Sequence, residues 1–314
     1  MAIVNPNIPL SLYILKRIGQ AIISFWLVVT ITFFAMHAIP GGPFQAERAA
    51  SKATEAALEA KYGLDKSLLE QYFTYLEDVF VHADFGPSLK QRGRDVSGIL
   101  SDGMWASVKI GVISLIFAEI IGVWLGVISA ARHGTWVDRL IMAISTVFIS
   151  VPSFVVGIFL LLIFSVKLHL LPSNGSTAAG LILPIVALGL YPMTQTTRLT
   201  RTSVMDELEK NYVRTVRANG LSERQVLFKH ILKNAAIPII TFTASMLAYV
   251  VTGSVAIEQV FAVKGMGRIL TSSITNRDYP LIMGVTIVLS AVVLLMNLIC
   301  DVVYHLVDPR IRLH

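Results

Sequence analysis

The amino-acid sequence predicts an all-α, polytopic membrane protein with six transmembrane helices. Of its 314 residues, 54% are hydrophobic and only 15% are charged, against a usual charged share of about 25% in soluble domains. The charged residues are unevenly distributed, since five long windows contain none: 18–46, 140–166, 168–197, 234–257 and 279–300. A hydrocarbon layer of about 30 Å requires apolar runs of this length from a spanning helix. The composition therefore excludes a soluble protein, a coiled coil and a disordered chain.

A sixth window, 103–131, contains only Lys109 and Glu119 as charged residues, and it completes the set of predicted spans. The expected helices are Leu12–Ile39, Trp105–Ala130, Val137–Val166, Leu181–Thr197, Ala236–Ala256 and Leu281–Leu306. We expect the first to be a retained span rather than a cleavable signal peptide, because no small-x-small cleavage pattern follows it. The single cysteine, Cys300, excludes an intrachain disulfide.

The distribution of basic residues predicts the orientation of these spans. If the N-terminus is cytoplasmic, the inside segments carry 14 Lys and Arg residues, whereas the two short outside segments carry 4. Basic residues accumulate in short loops on the cytoplasmic side of a membrane, so both termini are expected in the cytoplasm. The net charge of +6 would suggest a nucleic-acid partner in a soluble protein. Here we assign it to topology and expect no nucleic acid.

The first outside segment, 40–102, is long enough to form a small extracytoplasmic insertion after the first helix. Pro40 and the residues that follow it are expected to end that helix, and Ser51–Tyr62 favours a further helix that Gly63 would end. A second amphipathic helix is predicted over Ser67–Phe80, with one apolar face formed by Leu69, Phe73, Leu76 and Phe80. We expect the insertion to pack on the outer membrane face. The alternative is a solvated connector.

The largest inside loop contains two predicted helices joined at a glycine. Met205, Leu208, Tyr212 and Val216 recur at helical spacing before Gly220 interrupts the pattern. The hydroxyl of Ser222 can cap a second helix, and Gln225 stands where a capping box requires it. The pattern predicts a short rigid strut, suited to transmit force from a soluble partner to the membrane helices.

The run Tyr212–Arg224, followed by Pro238, resembles the EAA loop of ABC-importer permeases of the oligopeptide and dipeptide branch. Other segments resemble that branch in the same order along the chain: 15–17, 39–44, 83–88, 151–154, 265–267, 277–279 and 308–310. No single tripeptide among them is specific, but the ordered set extends over nearly the whole chain.

This resemblance implies a type I ABC-importer transmembrane domain, formed by residues 1–314 as one unit in a bacterial cytoplasmic membrane. It also implies a heterodimer with a second permease, two cytoplasmic ATPase subunits that bind ATP-Mg, and an extracytoplasmic binding protein that delivers peptides. The chain itself is expected to bind no cofactor. Relatives of this fold carry oligopeptides, dipeptides, nickel complexes or glutathione, and the resemblance favours oligopeptides.

By position, the resemblance places the coupling to the ATPase in the cytoplasmic loop 198–235. Arg214, Thr215 and Val216 occupy the Glu-Ala-Ala places of the family, so the family's acidic residue is a basic one here. Gly220 occupies the place of the turn glycine. The full set of predicted coupling residues is Arg214, Thr215, Val216, Arg217, Ala218, Gly220, Leu221, Ser222 and Arg224.

Several catalytic motifs are absent from the sequence. It contains no Gly-x-x-x-x-Gly-Lys-Ser/Thr, no His-Glu-x-x-His and no Gly-x-Ser-x-Gly. The seven histidines show no metal-ligand spacing, so no metal site is predicted. These observations argue against an enzyme. A secondary transporter driven by an ion gradient remains the competing class, but only Lys109 and Glu119 could serve it within the spans.

Four residues are candidates for the translocation path or its gate: Glu119, Pro152, Ser153 and Pro192. A charged carboxylate in the middle of a span is costly, so Glu119 is expected to face the path or to pair with a polar group of the partner subunit. Prolines within helices free a backbone carbonyl and can form gates or simple packing irregularities. Pro184 belongs to the same class, and Pro238, near the start of the fifth span, is expected to concentrate bending. Gly122, Gly126 and Gly157 would allow close helix contact, and an interface with a second permease is the more specific alternative.

Overall fold

The computed structural model describes residues 10–38, 63–91 and 93–307, and their regular secondary structure is helical. Five helices are long and apolar enough to cross a membrane, and a pair of shorter helices supplies a sixth candidate span. The spanning helices are α1 (Leu10–Ala38), α3 (Val96–Ala131), the bent pair α4 (Trp136–Ser150) and α5 (Ser153–Leu160), α6 (Ile182–Leu208), α9 (Leu232–Val251) and α12 (Tyr279–Val307). The prediction of six spans is confirmed if the bent pair is one span.

The third span differs from the single helix that the sequence predicts over Val137–Val166. Helices α4 and α5 meet at an angle of 104°. Pro152 carries no N–H to continue the ladder, and it holds Val151 in an extended conformation with ψ of 126°. A π-helical turn, Leu161–Lys167, then extends α5. The predicted interruption at Pro152 is confirmed, and it divides the span predicted over Val137–Val166 into two helices.

The insertion after α1 contains helix α2 (Leu68–Val81), which begins where the sequence predicts. Its N-cap is Ser67, whose hydroxyl accepts a hydrogen bond from the Glu70 N–H at 3.3 Å. The predicted helix Ser51–Tyr62 and the end of the first span at Pro40 lie outside the described residues. The predicted apolar face is only partly correct, because the buried residues of α2 are Tyr72, Leu76 and Val79.

A buried contact joins the insertion to the start of α12. The Ser88 hydroxyl donates a hydrogen bond to the Asp278 carboxylate, and the Leu89 N–H donates another to the same group at 3.1 Å. Asp278 is 1% exposed. The segments 83–88 and 277–279, which are 190 residues apart in sequence, thus form one structural unit.

Helices α3 and α6 form the centre of the bundle and approach each other closely. A side chain at Gly122 would place its Cβ 2.7 Å from the Met193 carbonyl oxygen, and one at Gly126 would stand 2.5 Å from the Cβ of Thr200. Gly157 of α5 packs against side chains of the same chain, those of Ile257, Phe261 and Ala187. The expected close contact at these three glycines is confirmed, and the neighbours that the structure shows belong to the same chain and not to a second permease.

The fourth and fifth spans extend further than predicted at the end that carries the 198–235 segment. Helix α6 continues past Thr197 to Leu208, and Pro184 lies in its first turn, where no hydrogen bond is lost. Helix α7 (Asn211–Ala218) follows after a break, so the predicted continuous helix through Met205 and Val216 is interrupted at Glu209 and Lys210. A short helix, α8 (Glu223–Gln225), and a π-helical turn, Val226–Ile231, lead into α9.

At the opposite end of the bundle, two short helices connect α9 to α12. They are α10 (Val255–Val260) and α11 (Met266–Asn276). Phe261 and Ile257 are fully buried between this connection, α5 and α6. The connection is therefore part of the packed core rather than a free loop.

Candidate functional site: the 198–235 segment and the central helices

The 198–235 segment is held against the helix bundle by an apolar cluster. Val204 of α6, Val213 of α7, and Val226 and Ile231 of the π-helical turn are each 0% exposed. They pack together with Val127 and Ala130 at the end of α3. Side chains that are completely buried hold a helix in one place, so α7 is fixed to the ends of α3, α6 and α9.

A polar network reinforces this attachment at the break between α6 and α7. The buried Glu207 carboxylate accepts a hydrogen bond from the Tyr212 hydroxyl at 2.8 Å and another from the Lys210 ammonium group. The Tyr212 oxygen accepts a hydrogen bond from the Asn234 side chain at 3.1 Å. Burial and the bond to Glu207 raise the pKa of Tyr212, while Glu207 raises the pKa of Lys210. The network links α6, α7 and α9 at one point.

The predicted coupling residues lie mostly on the free surface of this segment. Arg214, Thr215, Arg217, Ala218, Gly220, Ser222 and Arg224 are exposed, whereas Val216 and Leu221 are half-buried against the apolar cluster. The structure thus brings eight of them onto α7 and the turn that follows it, with Arg224 at the start of α8. Exposed basic side chains on a rigidly attached helix form a surface suited to a soluble partner.

The turn between α7 and α8 has the geometry that its residues predict. Gly220 has a φ of +77°, a left-handed conformation that strains residues with a Cβ. The predicted capping box is confirmed: the Ser222 hydroxyl accepts from the Gln225 N–H at 3.4 Å, and the Gln225 side chain accepts from the Ser222 N–H at 3.1 Å. Arg217 and Glu223 form an ion pair across the turn at 2.9 Å.

A buried ion pair that sequence reasoning missed lies next to this segment. Asp138, at the start of α4, accepts two hydrogen bonds from Arg201 of α6, at 2.7 and 2.9 Å. The Ser129 hydroxyl and the Gly134 N–H donate to the same carboxylate, at 2.5 and 3.0 Å, and His133 lies 3.2 Å away. Two residues 63 positions apart in sequence carry no local pattern that could have revealed their contact.

Glu119 lies where α3, α6 and α9 meet. It accepts a hydrogen bond from the Thr196 hydroxyl of α6 at 3.0 Å, and the hydroxyl of Thr243 in α9, which donates to the Ile239 carbonyl, lies close to the same carboxylate. Glu119 therefore has intrachain partners, and its predicted pairing with a partner subunit is not needed to stabilise it. Its place between two hydroxyl groups is compatible with a position on a polar path.

The proline candidates fall on two different elements. Pro192 is buried within α6, one turn before Thr196, so the structure brings it close to the Glu119 site. Pro152 and Ser153 stand at the bend between α4 and α5. Gly157, one turn further along α5, packs against Phe261 and Ile257 of the connection at the far end. The four path candidates thus form two sites rather than one.

A second buried carboxylate that sequence reasoning missed orders the far end of the bundle. Glu258, which is 3% exposed, accepts a hydrogen bond from the Ser107 hydroxyl at 2.7 Å and from the Arg268 N–H at 3.0 Å. The Ser107 oxygen in turn accepts from the Met266 N–H at 2.8 Å. Burial raises the pKa of Glu258. In the described ranges, no group of three His, Cys, Asp or Glu side chains could hold a metal ion.

Two protein families match this chain. One, described as "Binding-protein-dependent transport system inner membrane component", matches residues 122–313, and its N-terminal companion matches residues 10–91. The first match includes the 198–235 segment, the bent pair α4 and α5, and Glu258. The second ends within the insertion that carries α2.

Similar proteins match the chain over almost its full length. The dipeptide transport system permease protein DppB of Bacillus subtilis is 39% identical over 303 residues, which cover 96% of this chain and 98% of that protein. The oligopeptide transport system permease protein OppB is 36% identical in Haemophilus influenzae and 37% identical in Escherichia coli, with 96% and 99% of the two chains covered in each case.

The fold is that of a type I ABC-importer membrane domain. A solved inward-facing structure of the MetNI methionine ABC transporter superposes with a TM-score of 0.54 at 21% identity, covering 68% of this chain and 97% of that one. At this identity the likeness shows the fold alone. Taken with the permease relatives, it establishes that the chain belongs to the family of binding-protein-dependent transport system inner membrane components, in its oligopeptide and dipeptide permease branch.

Proposed function

We propose that the chain is the permease subunit of an ATP-driven importer and forms, with a second permease, the path by which peptides enter the cell. The observation that supports it most is an exposed, basic helix, α7, that is fixed to three spans by fully buried valines and by the Glu207 network. A helix attached in this way transmits a displacement instead of absorbing it. The relatives of this chain are named as permeases for oligopeptides and dipeptides.

In this proposal, ATP-Mg is bound and hydrolysed by two ATPase subunits that dock on α7 and the turn at Gly220. Their closure would move α7, and the movement would pass to α6 through Val213, Val204 and Glu207. Helix α6 carries Thr196 and Pro192, so the displacement reaches the Glu119 site directly. It also carries Arg201, which would pull on α4 through Asp138 and so move the bend at Pro152.

The docking surface can be tested by charge reversal. Arg214→Glu should weaken association with the ATPase subunits and lower peptide uptake, because it reverses an exposed charge on α7 and leaves the buried cluster intact. Arg139→Glu is the matched control, since Arg139 is also exposed at the same end of the bundle but lies on α4. Co-purification from detergent measures the association. Equal losses in both variants would contradict docking on α7.

The substrate class can be tested by uptake of labelled peptides of graded length in a strain that lacks this chain. Restored uptake on complementation, together with co-purification of a second permease and ATPase subunits, is the expected result. The length range that is restored distinguishes a dipeptide importer from an oligopeptide importer. Uptake driven by an ion gradient, without associated ATPase subunits, would instead indicate a secondary transporter.

The proposed topology places both termini and the 198–235 segment in the cytoplasm and the insertion outside. The excess of basic residues in the inside loops supports it. The extracytoplasmic binding protein would then meet the end of the bundle that contains α2, α10 and α11.

A further inference from the structure

Glu119 is a carboxylate near the middle of a span, and the described part of the chain supplies no cation for it. It lies about 18 Å along α3 from the end of that helix at Ala131, at 1.5 Å per residue. Among the described residues, no Lys, Arg or His side chain forms an ion pair with Glu119. An ionised carboxylate in the apolar layer is costly unless it meets a cation or water. The charge of Glu119 therefore requires a partner from outside the described part of the chain.

The chain uses only part of the hydrogen-bonding capacity of Glu119. The Thr196 hydroxyl donates to its Oε1 atom at 3.0 Å, whereas the Thr243 hydroxyl donates to the Ile239 carbonyl at 2.8 Å. An ionised carboxylate has about four acceptor positions on its two oxygens. The side chain is half-buried and not enclosed. Acceptor positions of Glu119 thus remain open to a ligand.

Two tyrosines lie beside this site, toward the end of the bundle that contains α10 and α11. The rings of Tyr191 in α6 and Tyr249 in α9 are 6.4 Å apart, measured between centroids. Tyr191 precedes Thr196 by five residues and Tyr249 follows Thr243 by six, so both lie about 7.5–9 Å along the spans from the level of Glu119. Tyr249 is 53% exposed although it belongs to a span. The tyrosine pair therefore gives this part of the bundle an accessible aromatic surface.

Gln195 provides a peptide-like hydrogen-bonding group next to the tyrosines. Its Nε2 atom donates to the Tyr191 hydroxyl at 3.2 Å, and the side chain is half-buried. Its second N–H and its carbonyl oxygen have no partner among the residues that the structure describes. One free donor and one free acceptor are the groups that pair with a peptide bond.

We propose that Glu119 binds the N-terminal ammonium group of the transported peptide, with Gln195 and the tyrosine pair beside the residues that follow it. This assignment rests on the proposed function of the chain as a peptide permease. An ammonium group supplies the missing positive charge and three N–H donors, and charge-assisted hydrogen bonds of this kind are the stronger ones. An extended peptide rises about 3.3 Å per residue, so its second or third residue reaches the tyrosines. The ligand class is a peptide with a free amino terminus.

Uptake of a matched pair of substrates tests this assignment in proteoliposomes that contain the complete transporter. The pair is Ala-Ala-Ala and propionyl-Ala-Ala, which differ only in the replacement of the ammonium group by hydrogen. The affinity of the isolated binding protein for each substrate is measured and divided out. In Glu119→Gln, the preference for Ala-Ala-Ala should fall about tenfold, the loss expected for one hydrogen bond to a charged group. Glu77→Gln, on the exposed side of α2, is the matched control and should keep the preference of the parent.

The sign of the charge at position 119 provides a second measurement, which needs only the unmodified tripeptide. Glu119→Cys is made in a Cys300→Ser background, which keeps a donor for the Ala244 carbonyl. Reaction with 2-carboxyethyl methanethiosulfonate returns a carboxylate to the site and should restore uptake of Ala-Ala-Ala. The cationic 2-(trimethylammonio)ethyl reagent should not restore it, because it places a like charge beside the ammonium group.

Three results would overturn the assignment. The first is an unchanged substrate preference in Glu119→Gln, and the second is equal recovery of uptake with both reagents. The third is loss of the second permease when Glu119→Gln is purified, which would show that the cation belongs to that subunit. A parent transporter that imports neither peptide would contradict the proposed function itself, and with it this assignment.

Discussion

At the residue scale, this protein is organised by buried carboxylates with several partners each. Asp138, Glu207, Glu258 and Asp278 each join segments of the chain through hydrogen bonds. A buried charge is costly unless it is paired or hydrogen-bonded. Each of these groups therefore fixes the relative position of the elements that supply its donors.

The Asp138–Arg201 pair should be among the most sensitive of these contacts. Asp138→Ala leaves the Arg201 guanidinium without its partner in a site where the side chains are 5% and 21% exposed. Loss of one partner of a buried pair typically costs about 3–5 kcal/mol. The loss of stability is measured by thermal unfolding in detergent, with the fraction of protein that remains monodisperse recorded at each temperature.

The control for this prediction is Asp102→Ala, which breaks the exposed pair between Arg94 and Asp102. An exposed pair contributes at most about 1 kcal/mol, so this variant should unfold close to the parent temperature. The double variant with Arg201→Ala should lose less than the two single variants together, because no unpaired charge remains. Similar losses in Asp138→Ala and Asp102→Ala would contradict the importance of the buried pair.

Glu258 predicts a pH dependence of stability at the opposite end of the bundle. Burial raises its pKa above the ordinary value of 4.5, so the folded protein binds the proton more tightly than the unfolded chain. The contribution of Glu258 is therefore largest at acidic pH and falls as the pH rises from about 4.5 through the raised pKa. In Glu258→Gln, the decrease in unfolding temperature between about pH 5 and about pH 8 should be smaller than in the parent. Identical pH profiles would exclude Glu258 as the source.

At the scale of elements, the turn at Gly220 determines the orientation of α7 relative to α8. A residue with a Cβ in the left-handed region costs about 1–3 kcal/mol, and a branched side chain is disfavoured there most. The space around Gly220 is open, so a substitution acts on backbone conformation rather than through a clash.

Gly220→Val should abolish peptide uptake while leaving insertion into the membrane intact, because it reorients the turn that connects α7 to α8. Uptake and the amount of chain in the membrane fraction are measured in parallel. Gly93→Val is the matched control, since Gly93 has a φ of +75° and equally open surroundings at the other end of the bundle. Normal transport in Gly220→Val would refute the coupling role of this turn.

At the scale of the whole molecule, the bundle has two ends that differ in charge and in the way they are closed. The end with the 198–235 segment carries exposed arginines over an apolar cluster. The other end is closed by α10, α11 and the contact between the insertion and Asp278. Under the proposed function, this asymmetry separates the end that docks the ATPase subunits from the end that receives the delivered substrate.

Cysteine labelling in intact cells tests the orientation of the two ends. In the Cys300→Ser background, Lys264→Cys should react with a membrane-impermeant maleimide before lysis, because this exposed residue lies between α10 and α11. Asn219→Cys, exposed on the turn after α7, should react only after the membrane is permeabilised. The reverse pattern would invert the proposed topology.

Much of the architecture followed from local patterns in the sequence. Five charge-free windows and a sixth with only two charges predicted six spans, because a hydrocarbon layer tolerates few charges. Ser222, Gln225 and Gly220 predicted their turn, because capping and left-handed conformations depend on neighbouring residues. Pro152 predicted an interruption of the third span, but the size of the bend, 104°, and the break after Leu208 were not predicted. The angle at a bend and the place where a helix stops depend on the helices packed around them, which no local window contains.

The sequence by itself therefore determined the class of protein, the apolar windows of the candidate spans and the geometry of the turn at Gly220, since these depend on composition and on short-range hydrogen bonding. Only the tertiary structure decided which residues are partners. It paired Asp138 with Arg201 and Ser88 with Asp278, and it placed Gly122 and Gly126 of α3 against α6. It also left Leu69, Phe73 and Phe80 of α2 exposed. These contacts join residues far apart in the chain. Many side chains of the same chemical type could form each contact, and the packing of the helices decides which of them does.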